Sequence, residues 1–516
     1  MRQSHRLYVA VLALLISILA FPAPEPAHAA DGPAFPDVLI VYDSLGVGTE
    51  HEGNVEALKR LLAAFRVRVT AESIDSYTPG SLKGYSKLIE VQNRAELMEE
   101  NHDFFADLNS YQGDFLFIGE KPGAKLARTL GLHAKTSPMA SDLSIGPFAE
   151  KYVNVPSLWD SSQAGVHRYG ELKVPGSDST YPYGVRKGKY AYAPFLKKDA
   201  LSEVALSYVL KDWLQEERKG HFFLVFKEIY PFSDLELLER MSDELFEAGI
   251  PFIVSVHPVF SNTDYPAMKR YIHTLKYVQS RNGTVLVESP VVASTIQDLD
   301  RSLHRQMEHF VDVLAQEGVL PLGMGAEMHW TYDEHYVSEG MPFFDSVILY
   351  PDEHPIYKAK RNRSEAFRSS LYSVDQAYMQ RYLADGRLLE PLPMDTAITV
   401  DFVQKETELD SLMDGLKNGW IIFDDYKREA HRVKTATNEI RSESGTLTLN
   451  GSSAGIQAGH VETSSDYVYK HQGKKSFETW FTVQNKIFIV VIFVTLSVFF
   501  GFLIIGYRMY KRKFYK

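Results

Sequence analysis

The chain of 516 residues has no cysteine. Disulfides, thiolate metal centres, a cysteine nucleophile and a lipid-modified cysteine anchor are therefore excluded, and ordinary apolar burial must hold the fold. A phosphate-gripping loop is also missing. Gly46 and Gly48 stand before a helical pattern without the third glycine and the lysine of such a loop, so they read as a plain strand-to-helix turn. No internal repeat is visible. Basic residues are in deficit, with 55 Lys and Arg against 66 Asp and Glu, for a net charge of −11. Residues 1–30 and the tail beyond Tyr507 are themselves net basic, so the part between is more acidic still. Such a body argues against nucleic acid or an anionic lipid surface as partner, and tolerates a cationic polymer.

One long stretch lacks charge altogether. Residues 487–507 contain no Asp, Glu, Lys or Arg, and at about 1.5 Å per residue they would span roughly 30 Å, the thickness of a bilayer core. Arg508, Lys511, Arg512, Lys513 and Lys516 follow, which assigns 508–516 to a cytoplasmic tail by the positive-inside rule. At the other end Arg2 and Arg6 precede an apolar run over 7–21 and the small-residue site Ala27-His28-Ala29. That is the layout of a secretory signal peptide over 1–30. The expectation is a single-pass protein of the cell membrane with an extracellular body and one C-terminal transmembrane helix.

The body divides by composition. Residues 31–217 read as an α/β sandwich domain of flavodoxin-like or amidotransferase-like order. Its strands are expected at 38–41, 67–70, 87–90 and 115–118, and helices at 54–65 and 200–214. A Gly- and Tyr-rich piece over 157–194 is expected to add short hairpins. Residues 435–486 turn to Ser, Thr, Gly, Asn and charge, and read as a polar stalk, flexible or thinly β, with too little apolar surface to fold alone.

Between them, residues 218–434 carry the pattern of a (β/α) barrel. Apolar runs of strand length alternate with helical periods, the first of which has Ser233 as its expected cap. Each run ends in an ionisable residue: Glu228, His257, Glu288, Glu327 followed by His329, and Asp401. In barrels the loops after the strands build the active face. The strand ending Lys227-Glu228-Ile229-Tyr230-Pro231, the phrase GIPFIVSVHPVF over 249–260 and the strand NGTVLV over 282–287 together carry a family likeness. They resemble an uncharacterised bacterial branch of polysaccharide deacetylase-like proteins, some of which occur with exopolysaccharide machinery.

That resemblance implies a distorted deacetylase-like barrel, and it also exposes departures. The family pattern has Asp where this chain has Glu228, a His-Gly-x-x-His motif where it has Glu288-Ser289-Pro290-Val291-Val292, and a late strand ending in His-Pro where it has Asp401. The familiar zinc site thus looks dismantled on a retained scaffold. The expected role is a catalytically degenerate barrel, without cofactor, that binds or guides an envelope or secreted polysaccharide, with membrane subunits of an export or modification assembly as candidate partners. A partly deacetylated amino-sugar polymer would suit its acidity. Glu288 and Trp330 are the candidate substrate contacts.

Two active readings stay open. A divalent metal such as zinc can be held by carboxylates with His257 and His329, which would restore deacetylase chemistry with rearranged ligands. Alternatively two of the catalytic candidates Glu228, Glu327 and Asp401 can work on a glycosidic bond as acid and nucleophile or base; their separation would decide the mechanism. Met324, Met328 and Met341 read as core gap-fillers, and Trp420 as a further aromatic with burial as its default.

Overall fold

Apolar runs buried on both faces belong in parallel sheets, and in the computed structural model of the chain such strands form a closed barrel and the parallel part of a mixed sheet. The structure describes residues 35–94, 101–136, 139–290, 299–352, 360–384, 390–419, 421–454 and 508. The expected signal peptide, the apolar run 487–507 and Trp420 fall outside these residues. Among the described residues no helix is long and apolar enough to cross a membrane.

The first sheet starts from four parallel strands: β1 (Asp37–Tyr42), β2 (Arg68–Ser73), β3 (Lys87–Val91) and β4 (Asp114–Ile118), in the order β2-β1-β3-β4. A small pair, β5 (Leu132–Thr136) with β8 (Leu158–Ser161), stands apart. The Gly- and Tyr-rich piece and its surroundings supply β6 (Met139–Ile145), β7 (Phe148–Val155), β9 (His167–Lys173), β10 (Thr180–Lys187) and β11 (Tyr190–Ala193). These extend the same sheet beyond β4 as β11-β10-β9-β6-β7. Tyr183 is buried there, its hydroxyl donating 2.7 Å to the Phe195 carbonyl. Gly46 and Gly48 do adopt left-handed φ values of 64° and 74°. Their amides are already taken, by Ser44 Oγ at 3.1 Å and Glu52 Oε2 at 2.8 Å, so neither glycine amide is open to a phosphate.

The second sheet closes on itself. β12 (Phe222–Ile229), β13 (Phe252–Val256), β14 (Gly283–Glu288), β15 (Pro321–Glu327), β16 (Ser346–Tyr350), β18 (Ser369–Asp375) and β19 (Thr396–Asp401) form a parallel barrel. β19 pairs back onto β12 through Phe222↔Thr396 to Lys227↔Asp401. Helices Leu235–Glu247, Pro266–Ser280, Leu299–Gln316 and Glu406–Asn418 connect or follow the strands. The first of them is capped by Asp234, which accepts from Leu237 N at 3.0 Å. That corrects the expected Ser233 cap: Ser233 Oγ instead accepts from Tyr230 N at 3.0 Å and closes the preceding turn. Met324, Met328 and Met341 are core residues.

Three features tie the two sheets together. β17 (Arg361–Arg363), from the loop between β16 and β18, pairs antiparallel with β2 as an edge strand of the first sheet. Tyr372, Val374 and Ile398 of the barrel share one apolar core with Leu58, Leu61 and Leu62 of the helix Asn54–Ala64. On the same helix Arg60 is buried and reaches the Ser373 carbonyl at 3.1 Å and the Tyr372 hydroxyl at 3.1 Å.

Part of the expected stalk is folded. β20 (His431–Lys434), β21 (Glu439–Glu443), β22 (Thr446–Leu449) and β23 (Ser452–Ser453) make an antiparallel meander. Val433, Ile440 and Leu447 bury into the barrel's own core cluster. The three apolar residues were outnumbered by polar neighbours in the sequence, but alternation puts them on one face. The rest of 435–486, beyond Ala454, lies outside the described residues.

Candidate functional site

Three strand-end residues meet at the C-terminal mouth of the barrel. One ligand atom each from Glu228, His257 and Glu288 lies within 4.8 Å of the others. β12 delivers Glu228 through a local irregularity: its pairing with β13 shifts register between Phe226 and Ile229, and Glu228 has φ of 62°. A non-glycine residue in the left-handed region is strained, and a bulge re-aims a side chain. The bulge is pinned because the Ile229 carbonyl accepts both His257 N at 2.9 Å and the buried Tyr271 hydroxyl at 3.1 Å.

Within the cluster His257 Nε2 lies 3.4 Å from Glu288 Oε1 and 3.9 Å from Glu228 Oε2. Among the described residues it makes no hydrogen bond. Glu228 N stands 3.5 Å from Glu288 Oε2. Glu288 is almost wholly buried, and burial first, then the neighbouring Glu228 charge, push its pKa up to about 8. At neutral pH, with nothing bound, it therefore carries a proton. Burial likewise lowers the pKa of His257, against the pull of Glu228, so this imidazole is neutral at pH 7. Glu228 is the open member, with its side chain 38% exposed.

Below the cluster is a polar floor. Ser255 and Tyr350 are buried on β13 and β16, and Gly325 of β15 lies against them. A Cβ at Gly325 would stand 2.6 Å from the Tyr350 oxygen and 2.7 Å from the Ser255 oxygen. The absence of a side chain there lets both hydroxyls approach the lumen.

Above it is a column of rings. The Tyr230 ring stacks on the His257 imidazole at 4.1 Å and 8°, and Phe232 stacks on Tyr230 at 4.9 Å and 16°. Tyr230 also donates its hydroxyl to Glu228 Oε2 at 2.5 Å. Phe232 is 68% exposed. Tyr230 sits in a phrase that carried the family likeness and Phe232 follows two residues later, but no one-dimensional signal shows that they stack toward a histidine of the next strand. At the rim Lys227 Nζ pairs with Asp401 at 2.6 Å. Burial works against its charge, but Asp401, Glu228 and Glu288 more than offset that and raise its pKa.

The other sequence candidates are placed differently. Asp401 is exposed and engaged by Lys227, so it borders the mouth without joining the cluster. Glu327 accepts from the Ser289 hydroxyl at 2.8 Å. His329 follows β15 in a short 3₁₀ turn, where its Nδ1 meets Asp352 Oδ1 at 2.8 Å; it is not in the Glu228 group. Trp330 is 2% exposed and stacked on Tyr336 at 4.3 Å. With no free face it is a core residue, contrary to its expected contact with a sugar.

A second trio, His221, Asp395 and Glu429, is also close enough to hold an ion. It stands at the opposite ends of β12 and β19. There Asp395 accepts His221 N at 3.0 Å and meets its ring Nδ1 at 3.1 Å, while Arg218 reaches the same carboxylate at 3.9 Å. Groups satisfied in this way at the N-terminal face of a barrel serve stability.

No protein-family model and no curated protein matches this chain. Among solved structures it has a weak likeness to a peptidoglycan N-acetylglucosamine deacetylase, at 11% identity and a TM-score of 0.25, covering 40% of this chain and 86% of that one. A glycoside hydrolase family 30 subfamily 8 xylanase from Clostridium acetobutylicum gives 9% identity and a TM-score of 0.25 over 45% and 80% of the two chains. An exo-β-1,4-mannosidase from Opitutaceae bacterium strain TAV5 gives 15% identity and 0.20 over 36% and 34%. Overlaps this slight assign neither family nor activity, and the site must speak through its own chemistry.

Proposed function

We propose that this protein is a carbohydrate-binding barrel, held at the cell membrane by its C-terminal apolar run, that binds or guides an envelope or secreted polysaccharide. The observation that carries this reading is the mouth itself, where polar acceptors converge beside a stacked ring column ending in exposed Phe232. Aromatic faces take up the apolar faces of sugar rings, and a few convergent polar groups fix their orientation. Loss of the family's histidine motif, with Glu288 in its place, weighs toward recognition over hydrolysis.

A second reading has one specific support. His257 Nε2 is buried without a hydrogen bond, between two carboxylates at 3.4 and 3.9 Å. Zinc bonds of roughly 2.0–2.1 Å in a tetrahedron set ligand atoms about 3.3 Å apart, so one imidazole and two carboxylates fit such an ion. Bound there, a divalent metal would polarise a carbonyl and acidify a water. Glu228, His257 and Glu288 would be its ligands, with Tyr230 orienting Glu228 through their hydrogen bond.

The two readings part in one experiment. Full-length protein is incubated with Zn²⁺, Mn²⁺ or Co²⁺, freed of excess ion and analysed for metal, and in parallel run through gels containing polysaccharide. Retarded migration in the gel with no retained metal is the expected result. About one ion per chain, lost in His257→Ala, would replace the binding reading with the metal-dependent one. Unretarded migration with no metal would refute both.

A further inference from the structure

The mouth holds more acceptors than donors. Glu228 offers carboxylate oxygens, Glu288 offers one carboxyl oxygen with its proton on the other, and His257 offers Nε2 whenever its proton sits on Nδ1. Of the nearby donors, Lys227 pairs with Asp401 at 2.6 Å and the Tyr230 hydroxyl is given to Glu228, while the Ser255 and Tyr350 hydroxyls of the floor can accept as well as donate. Three acceptors gathered within 4.8 Å match a group with three donors and a positive charge. A primary ammonium is such a group. An acetamido nitrogen, with one N–H and a bulky neutral acyl group, is not.

The ring column supplies a second, independent feature of the ligand. Phe232 turns a 68% exposed face outward, and behind it Tyr230 and His257 continue the stack down to the acceptors. The exposed face stands two stacking spacings, 4.1 and 4.9 Å, out from the imidazole, so a ligand that satisfies both features is a polymer whose apolar ring face and ammonium belong to different sugar units. Resting on the carbohydrate-binding reading above, we propose that the mouth recognises free 2-amino-2-deoxyhexose residues of a cationic polysaccharide. The ammonium sits among Glu228, His257 and Glu288, and the exposed face of Phe232 takes the ring of another unit of the same chain. The acceptor set would thereby distinguish deacetylated from N-acetylated units of one polymer. The acid excess of the chain favours approach of such a polymer from a distance.

Isothermal titration of the full-length protein with three probes tests this: a glucosamine oligomer, the matching N-acetylglucosamine oligomer and a neutral glucose oligomer, all β-1,4-linked. Hydrogen bonds to a charged group are stronger than those to a neutral one, so the free-amine oligomer should bind at least about tenfold more tightly than either neutral one. Glu228→Gln and Glu288→Gln should each erase most of that preference. Phe232→Ala should weaken all sugars alike, and Glu317→Gln, at the other end of the barrel, should leave the preference in place. Added EDTA should change nothing. Equal affinity for amine and N-acetyl oligomers would overturn the ammonium assignment and leave sugar binding standing. A preference that survives both glutamine variants would reduce it to non-specific attraction and overturn it too. An amine preference abolished by EDTA would hand the trio to a metal, whereas binding of no oligomer at all would fail the carbohydrate reading itself.

Discussion

Glu203 is the place to test whether the two sheets behave as one folding unit. It lies on the helix Leu201–Leu214 beside the first sheet, with its side chain 1% exposed. Arg60 Nη2 reaches it at 3.3 Å, and the Tyr372 hydroxyl of the barrel strand β18 donates to the same carboxylate. Burial raises the Glu203 pKa, and the Arg60 charge works against that rise. The guanidinium is itself 6% exposed and lies over the Tyr372 ring, 4.4 Å from its centre. Replacing Glu203 by Leu would remove the one carboxylate paired with Arg60 among the described residues and leave a desolvated cation. Breaking a buried pair in this way costs about 3–5 kcal/mol. Removing both charges, as in Arg60→Leu with Glu203→Leu, should cost far less than the sum of the single changes, because no charge remains to be stranded. Hydrogen exchange read by mass spectrometry should show the helix Asn54–Ala64 and the strand Ser369–Asp375 losing protection together in Glu203→Leu. A loss below about 1 kcal/mol, or exchange confined to one sheet, would refute the coupling and make the two sheets separate domains.

Two further outcomes follow from single residues. Gly325→Ala places a methyl 2.6 Å from the Tyr350 oxygen, and overpacking of this kind costs about 1–3 kcal/mol; a denaturation midpoint unchanged from the parent would contradict the packed floor beneath the cluster. His431 is 2% exposed, with Nε2 against the Tyr426 carbonyl at 2.7 Å, and burial lowers its pKa to about 4. The unfolded chain, with a histidine pKa of about 6.5, binds the proton first, so stability present above pH ~6.5 drains away down to pH ~4, by up to about 3 kcal/mol. Urea unfolding at a series of pH values should show that slope in the parent and lose it in His431→Gln; an identical slope in both would clear His431 of the effect.

The strands of the barrel were legible wherever burial on both faces demanded an apolar run, as at Phe222–Ile229, Phe252–Val256 and Gly283–Glu288. So were their ionisable ends, because a charge terminates such a run. β18 was not legible: its buried serines at 369, 370 and 373 interrupt the hydrophobic signal although six of its seven residues are buried. β17 escaped for a different reason. Its Arg-Asn-Arg segment joins the first sheet through backbone hydrogen bonds, which any side chain permits.

The sequence by itself determined a cysteine-free, acidic chain, two alternating α/β stretches and a set of carboxylates and histidines at strand ends. Local periodicity and the need to bury apolar side chains are enough to specify those. Only the tertiary structure decided that Glu228, His257 and Glu288 meet while His329 turns to Asp352, and that Tyr230 and Phe232 stack outward from the cluster while Trp330 is sealed in the core. Those choices depend on the register around a closed barrel and on a bulge that turns one glutamate, and both are set by contacts between residues distant in the chain.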